Sequence, residues 1–132
     1  MPDIVITILS LFCLLQIKHM FADFFLQTPR MLSGRGTYLH MGRMQHAAVH
    51  ALLTIPAFLV VGADFTVVLV LVAVEWVVHF HLDWAKARFS ETRELVPTQA
   101  LFWYAFGVDQ ALHQLTYIAM IWGWMWYASG AA

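Results

Sequence analysis

Long apolar runs alternate with short polar stretches along this chain, and the pattern predicts four helices. Each run has about 20 to 25 residues, the length that crosses a bilayer as a helix. The predicted helices cover about residues 3–28, 43–61, 64–88 and 99–127. Polar loops at 30–41 and 89–98 and a tight turn near residue 62 separate them. The pattern therefore predicts an all-α polytopic membrane protein, a bundle of four transmembrane helices forming one domain over residues 1–132.

Proline, glycine and one aspartate mark the ends of these helices. Pro29 ends the first helix, and Pro97 precedes the start of the fourth. Pro56 is expected to kink the second helix, which Gly62 closes. The carboxylate of Asp64 is suited to capping the third helix.

The composition agrees with a membrane protein. Hydrophobic residues make up 61% and charged residues 11% of the chain, against about 45–50% and about 25% in typical soluble domains. Mean hydropathy is +0.70. Four spans would leave no room for a separate soluble domain, so the lipid bilayer is the expected partner. With a net charge of −1 and no polybasic run, nothing in the sequence indicates a nucleic-acid-binding surface, and no nucleic-acid partner is expected.

The basic residues predict the orientation of the chain. They flank the two longer loops, whereas the middle turn and both termini carry none: Arg30, Arg35, Arg43, Lys86, Arg88 and Arg93. Because lysine and arginine concentrate on the cytoplasmic side of short loops, we expect both long loops inside and both termini outside.

Acidic and histidine residues four apart occur in all four predicted helices. They are His19 and Asp23; His46 and His50; Glu75, His79 and Asp83; and Asp109 and His113. This spacing places each set on one helix face. With a rise of 1.5 Å per residue, all four sets lie roughly 5 to 20 Å from the cytoplasmic helix ends. Buried polar pairs can simply hold helices together, yet four sets in one layer favour a single site.

A mixture of imidazole and carboxylate without thiolate is typical of zinc, iron or manganese sites. We expect one or two divalent transition-metal ions, zinc being preferred. The predicted metal ligands are His19, His46, His50, Glu75, His79, Asp109 and His113. Asp23 and Asp83 lie nearer the cytoplasmic surface and are the candidate general bases or supporting groups. His40 lies in the first loop and His81 lies off the face of Glu75, His79 and Asp83, so neither is expected to be a ligand.

Three other residues are candidate substrate contacts. Gln27 extends the stripe of His19 and Asp23 by one turn, and Lys86 and Arg35 flank the inner surface, where they are suited to an anionic head group. Ordinary positive-inside flanking explains the two basic residues without a ligand and is the favoured interpretation. Lys18 lies deep enough that it should pair with a carboxylate.

Several function classes fit this site. The preferred one is a metal-dependent enzyme that hydrolyses a lipid or lipid-linked phosphate or ester from the inner leaflet. No serine or cysteine lies in the polar layer, which disfavours covalent catalysis by either. A di-iron oxidative enzyme, a transporter of divalent metal or protons, and a non-catalytic structural subunit stay open. Transport would require a homo-oligomer, because the outer helix halves carry no polar path.

The motifs themselves resemble a known family. They are the segment from His19 to Gln27, the pair His46 and His50, the segment from Glu75 through Asp83 to Lys86, and Asp109-Gln110-Ala-Leu-His113. Together they are similar to domain of unknown function 3307, a family of small bacterial integral membrane proteins. The resemblance implies a multi-pass protein of the bacterial inner membrane and no particular reaction. A weaker similarity, to small membrane proteins described as metal-dependent hydrolases, is an analogy only.

Overall fold

The computed structural model describes residues 2–130, with the side chain of Pro2 excepted, so both ends of the predicted domain 1–132 lie outside the described residues. Within this range the chain forms helices and no strand, which confirms the all-α prediction. The helices are α1 (Pro2–Phe24), α2 (Pro29–Leu32), α3 (Met41–Val60), α4 (Phe65–Thr92) and α5 (Ala100–Ala128).

Two predicted loops are partly helical. The first helix ends at Phe24, and the short helix α2 begins where a loop was predicted. It forms because the Thr28 hydroxyl accepts a hydrogen bond from the Met31 backbone N–H at 3.3 Å, and Pro29 is pre-shaped for a first helical position. Helix α4, which corresponds to the third predicted helix at 64–88, continues to Thr92, four residues beyond its predicted end. Polar residues are tolerated there because that turn is exposed.

The cap predicted at Asp64 is confirmed. Its carboxylate accepts hydrogen bonds from the backbone N–H groups of Thr66 at 2.9 Å and Val67 at 3.3 Å. These bonds satisfy two of the free donors at the start of α4. Gly62 precedes it with φ of +79°, the left-handed conformation that lets α3 end in a tight turn.

The four long helices form a closed ring. Helix α1 packs against α3 and α5, and α4 packs against the same two helices, while α2 packs on the start of α3. Short connections make consecutive helices antiparallel. The end of α1, the start of α3, the end of α4 and the start of α5 therefore meet at one end of the bundle.

The bundle has an apolar half and a polar half. The apolar half contains the main hydrophobic core, formed by Leu11, Leu15, Ala57, Phe58, Ala63, Val68, Tyr117, Met120, Ile121 and Trp124. The polar half contains the buried ionisable residues, including Lys18, His46, Glu75 and His113. Packing of the core fixes the relative heights of the helices, and these heights place the buried polar residues in one layer.

The loop between α2 and α3 is fastened to α4. Glu91 accepts a hydrogen bond from the backbone N–H of Gly36 at 2.8 Å, and the Trp84 indole donates to the Gly36 carbonyl at 3.2 Å. Tyr38 Oη lies 3.0 Å from His81 Nε2. These contacts position Arg35 beside the polar half.

Two helices, Asp3–Phe24 and Phe65–Thr92, are long and apolar enough to cross a membrane. Length and composition alone are weak support for membrane association. Among the residues that the structure describes, α3 and α5 do not meet the same measure, so helix composition does not support the predicted four-span bundle.

Candidate metal centre

Five imidazole rings from all four long helices meet in the polar half. They belong to His19 on α1, His46 and His50 on α3, His79 on α4 and His113 on α5. The ring centroids of His79 lie 3.9 Å from His50, 4.3 Å from His113 and 5.3 Å from His46. Each of the four predicted sets contributes, because the four-residue spacing turns its members toward the bundle axis.

Two overlapping groups within this cluster have the arrangement of a metal site. His46, His50 and His79 form one, and His79, Asp83 and His113 form the other; in each, one potential ligand atom per residue lies within 4.8 Å of the others. Two nitrogen ligands of one tetrahedral zinc ion lie about 3.3–3.4 Å apart. Side-chain shifts of up to about 1 Å would therefore close either group around an ion, and His79 belongs to both groups.

Several ring nitrogens of the cluster are buried with no hydrogen-bond partner among the described residues. They are Nδ1 of His46, His50 and His79, and Nε2 of His79 and His113. A buried polar atom without a partner costs about 1–3 kcal/mol. A ligand that binds one nitrogen of each of these four rings would account for most of these unpartnered atoms.

In two of these histidines, His50 and His113, the ring nitrogen that is not free for a ligand has a hydrogen-bond partner that orients the ring. His113 Nδ1 lies 2.8 Å from the Asp109 carbonyl oxygen, and a carbonyl can only accept a hydrogen bond. In the neutral ring, Nδ1 therefore carries the proton and Nε2 carries the lone pair. His50 Nε2 lies 3.1 Å from Asp23 Oδ1, leaving Nδ1 free. A metal-binding histidine is usually oriented in this way.

His19 differs from the other four histidines. Its Nδ1 lies 2.9 Å from Tyr117 Oη, and its Nε2 lies 3.3 Å from Gln110 Oε1 and 3.2 Å from Asp23 Oδ2. Both nitrogens are thus already in contact with the protein. The structure gives His19 the surroundings of a residue that supports Asp23, although the sequence predicts a ligand.

Asp23 and Asp83 are the carboxylates that face the imidazoles. His46 Nε2 lies between them, 3.3 Å from Asp23 Oδ1 and 3.4 Å from Asp83 Oδ2. Asp83 also lies 3.3 Å from His79 and 3.6 Å from His113. Asp83, predicted as a supporting group, is therefore placed as a potential ligand, while Asp23 orients the two histidines of α3.

Glu75 and Asp109, both predicted as ligands, belong to neither group. Glu75 forms a buried ion pair with Lys18, whose ammonium also donates to the His50 carbonyl at 3.0 Å. This is the carboxylate partner that the depth of Lys18 requires. Asp109 Oδ1 lies 3.8 Å from His113 Nδ1, beyond hydrogen-bond distance.

A cavity of about 170 Å³ opens from the cluster toward the end of the bundle. Its lining includes all three predicted substrate contacts, Gln27, Arg35 and Lys86. Arg35 donates to Gln27 Oε1 at 2.7 Å, so these two side chains act as a unit. Sequence reasoning missed Arg43, which lines the same cavity and is only 2% exposed. Along the sequence nothing distinguishes it from the other basic residues beside the loops.

An apolar groove between α4 and α5 adjoins this cavity. It is lined by Leu82, Ala85, Lys86, Phe89, Leu101, Tyr104, Ala105, Val108, Asp109 and Leu112. Lys86 and Asp109 line both the groove and the cavity. A molecule with an apolar chain and a polar end would therefore find the two environments side by side.

These features define an all-α protein with two candidate membrane spans and a buried cluster of histidines and carboxylates at one end of its bundle. The chain belongs to the family described as protein of unknown function (DUF3307), whose model matches residues 11–131. This match confirms the family inferred from the motifs. Comparison with curated proteins and with solved structures gave no match.

Proposed function

We propose that this protein is a membrane-embedded metalloenzyme that hydrolyses a lipid or lipid-linked phosphate or ester drawn from the inner leaflet. The observation that carries the proposal is the set of buried ring nitrogens of His46, His50, His79 and His113 that have no hydrogen-bond partner among the described residues. Zinc fits these donors best, with iron or manganese as alternatives. The sharing of His79 between both groups supports one or two ions.

The proposal includes four membrane spans. Helix α3 has 20 residues, about 30 Å at 1.5 Å per residue, which matches a bilayer core. The residues that make α3 and α5 less apolar include His46, His50, Asp109 and His113, which are buried in the bundle. The outward face of α5 is apolar and exposed at Leu101, Trp103, Tyr104, Val108, Leu112, Leu115, Ile118, Trp122 and Trp126. Such a surface is rare on a soluble monomer.

The charges around this bundle support an orientation in the bacterial inner membrane. The basic loop residues, including Arg35 and Arg93, surround the end of the bundle that contains the cavity. With the positive end inside, both termini face the periplasm and the cavity opens toward the cytoplasm.

Hydrolysis needs a polarised water, a base and a bound leaving group. A divalent ion at the cluster would polarise the water and the scissile group. Asp23 lines the cavity and would accept a proton from the water as its oxygen attacks phosphorus or the ester carbon. The bond to the leaving oxygen then breaks, and that oxygen takes up the proton. Lys86 and Arg35 would hold the anionic head group.

The groove between α4 and α5 supports a lipid substrate. Its lining is almost entirely apolar, and it meets the cavity at Lys86 and Asp109. An acyl chain in the groove would bring its head group to the basic residues and the histidine cluster. A soluble substrate would have no use for this surface.

Transport of metal or protons is the main alternative. The apolar half of the bundle argues against it, because Phe58 and Tyr117 are fully buried across the path that an ion would take. A structural role for the cluster would require ligand changes to affect stability without affecting any turnover.

Substitution of His79 tests the proposal, with His81 as the matched control on the same helix. His79→Gln removes the residue shared by both groups, whereas His81 is exposed and faces Tyr38. We expect the metal affinity of His79→Gln to be at least about 100-fold lower than that of wild type, because removing even a supporting residue lowers affinity about 10–100-fold. The metal bound per folded chain after purification should fall accordingly. His81→Gln should bind metal normally. Equal metal content in both variants would refute the proposed site.

Turnover separates the function classes. Purified protein in detergent is incubated with bacterial inner-membrane lipids, and release of phosphate or fatty acid is measured for wild type and both variants. Turnover that requires His79 but not His81 supports the enzyme. Metal uptake into proteoliposomes without lipid turnover would instead establish transport and contradict the proposal.

A further inference from the structure

Arg43 is a buried arginine whose guanidinium has no hydrogen-bond partner among the described residues. Its side chain is 2% exposed, and its guanidinium carbon lies 5.0 Å from the centroid of the Phe80 ring. No acceptor among the described residues is hydrogen-bonded to its Nε, Nη1 or Nη2. Arginine is rarely so buried unless it is paired, because an uncompensated charge is costly to remove from water.

The nearby carboxylates are already engaged. Asp83 lies within 3.6 Å of His46, His79 and His113, and Glu91 accepts the Gly36 N–H at 2.8 Å. Arg43 lines the cavity, and none of its three guanidinium nitrogens has a hydrogen-bond partner among the described residues. The planar guanidinium matches two oxygens of a phosphate better than any other side chain does.

Two further cations line the same cavity. Lys86 Nζ lies 5.5 Å from the centroid of Phe106, and Arg35 retains donors beyond the one bonded to Gln27. His46 and Asp83 of the histidine cluster line the same cavity. An anion bound by Arg43 would thus share this cavity with two further cations and with candidate metal ligands.

We infer that Arg43 is the receptor for a phosphate group, and that the substrate is a phosphate ester rather than a carboxylic ester. The inference deepens the proposed function and rests on it for the reaction, although phosphate binding itself needs no metal. The phosphate belongs either to a lipid head group or to a soluble molecule. The α4–α5 groove adjoins the cavity at Lys86. An acyl chain in this groove would make a lipid phosphate bind more tightly than a soluble phosphate, so comparing the two affinities distinguishes the sources.

Binding to purified protein in detergent tests the inference, with inorganic phosphate, dihexanoyl phosphatidic acid and the uncharged dihexanoylglycerol as probes. Arg43→Gln is compared with Arg93→Gln, because Arg93 also stacks on a phenylalanine, at 5.9 Å, but is exposed. We expect Arg43→Gln to weaken phosphate binding at least about 10-fold. Arg93→Gln should bind as wild type does, and dihexanoylglycerol should show no dependence on Arg43.

Thermal unfolding keeps the test decisive if Arg43→Gln binds nothing. In phosphate-free buffer this variant should melt within a few degrees of wild type, because the lost contact with Phe80 is offset by removal of a buried charge that has no hydrogen bond. Phosphate should raise the melting temperature of wild type and not that of the variant. A variant that melts far below wild type without phosphate would show a purely structural role and overturn the inference.

The remaining outcomes separate the two sources and the two proposals. Phosphatidic acid binding at least about 10-fold tighter than phosphate identifies a lipid, and equal affinities identify a soluble phosphate; both support Arg43 as the receptor. If Arg43→Gln still binds phosphate or phosphatidic acid as wild type does, or if wild type binds neither of them, the role of Arg43 is refuted. Metal content is measured on the same samples. If wild type binds phosphate through Arg43 but contains no metal, only the proposed function is refuted. If wild type contains metal but does not bind phosphate through Arg43, only this inference is refuted.

Discussion

The buried pair of Lys18 and Glu75 offers a sharp test of how the polar half is organised. Lys18 is 7% exposed and Glu75 1% exposed, and the ammonium also lies 4.5 Å from the centroid of the Tyr117 ring. Lys18→Met keeps the length of the side chain and removes its charge. The carboxylate of Glu75 then stays buried without its partner.

The expected cost follows from this burial. Breaking a buried ion pair by removing one member destabilises a protein by about 3–5 kcal/mol. For a chain of 132 residues this corresponds to a melting temperature lower by roughly 10 °C or more. The double variant, Lys18→Met with Glu75→Gln, should recover most of the loss because no net charge is left buried. Melting of the purified variants in detergent measures both effects.

Metal content of the double variant provides the second half of this test. Because Glu75 is paired with Lys18 and lies outside both candidate metal groups, the double variant should retain its metal. Loss of metal there would show that Glu75 is a ligand, as its sequence spacing predicts. A single Lys18→Met variant that melts like wild type would refute the reasoning about the pair.

Three further predictions concern other parts of the molecule. Asp23→Asn should lower metal affinity about 10–100-fold, as measured by chelator competition, because Asp23 orients His50; unchanged affinity would contradict this role. Gly42→Ala should lower the melting temperature whereas Gly107→Ala should not, because an added Cβ at 42 overlaps the Arg30 carbonyl and one at 107 meets nothing. Phe58→Ala should destabilise the apolar half by about 3–5 kcal/mol, and a loss below about 1 kcal/mol would show that this half is loosely packed.

Periodicity along the chain predicts the composition of the polar layer well. A four-residue spacing fixes which face of a helix a side chain occupies, and the rise per residue fixes its height. These two quantities are local, so His46, His50, His79 and His113 can be assigned to one layer before their helices are packed together. The structure brings their rings together at the bundle axis.

Pairing within that layer depends on packing, which the spacing does not contain. Glu75 shares its helix face with His79, yet Lys18 on the opposite helix takes its carboxylate. His19 has the same spacing as a ligand, but Tyr117 and Gln110 on α5 contact its ring nitrogens. The buried state of Arg43 likewise arises from contacts with Phe80 on α4. Each difference comes from residues distant in sequence.

Elemental analysis of the wild-type protein is the most direct test of the central claim. The protein is purified from membranes without added metal, and bound zinc, iron and manganese are measured per chain. The account predicts about one or two ions per chain, or their uptake on reconstitution. Fewer than about half an equivalent of any transition metal, with no gain on reconstitution, would contradict it.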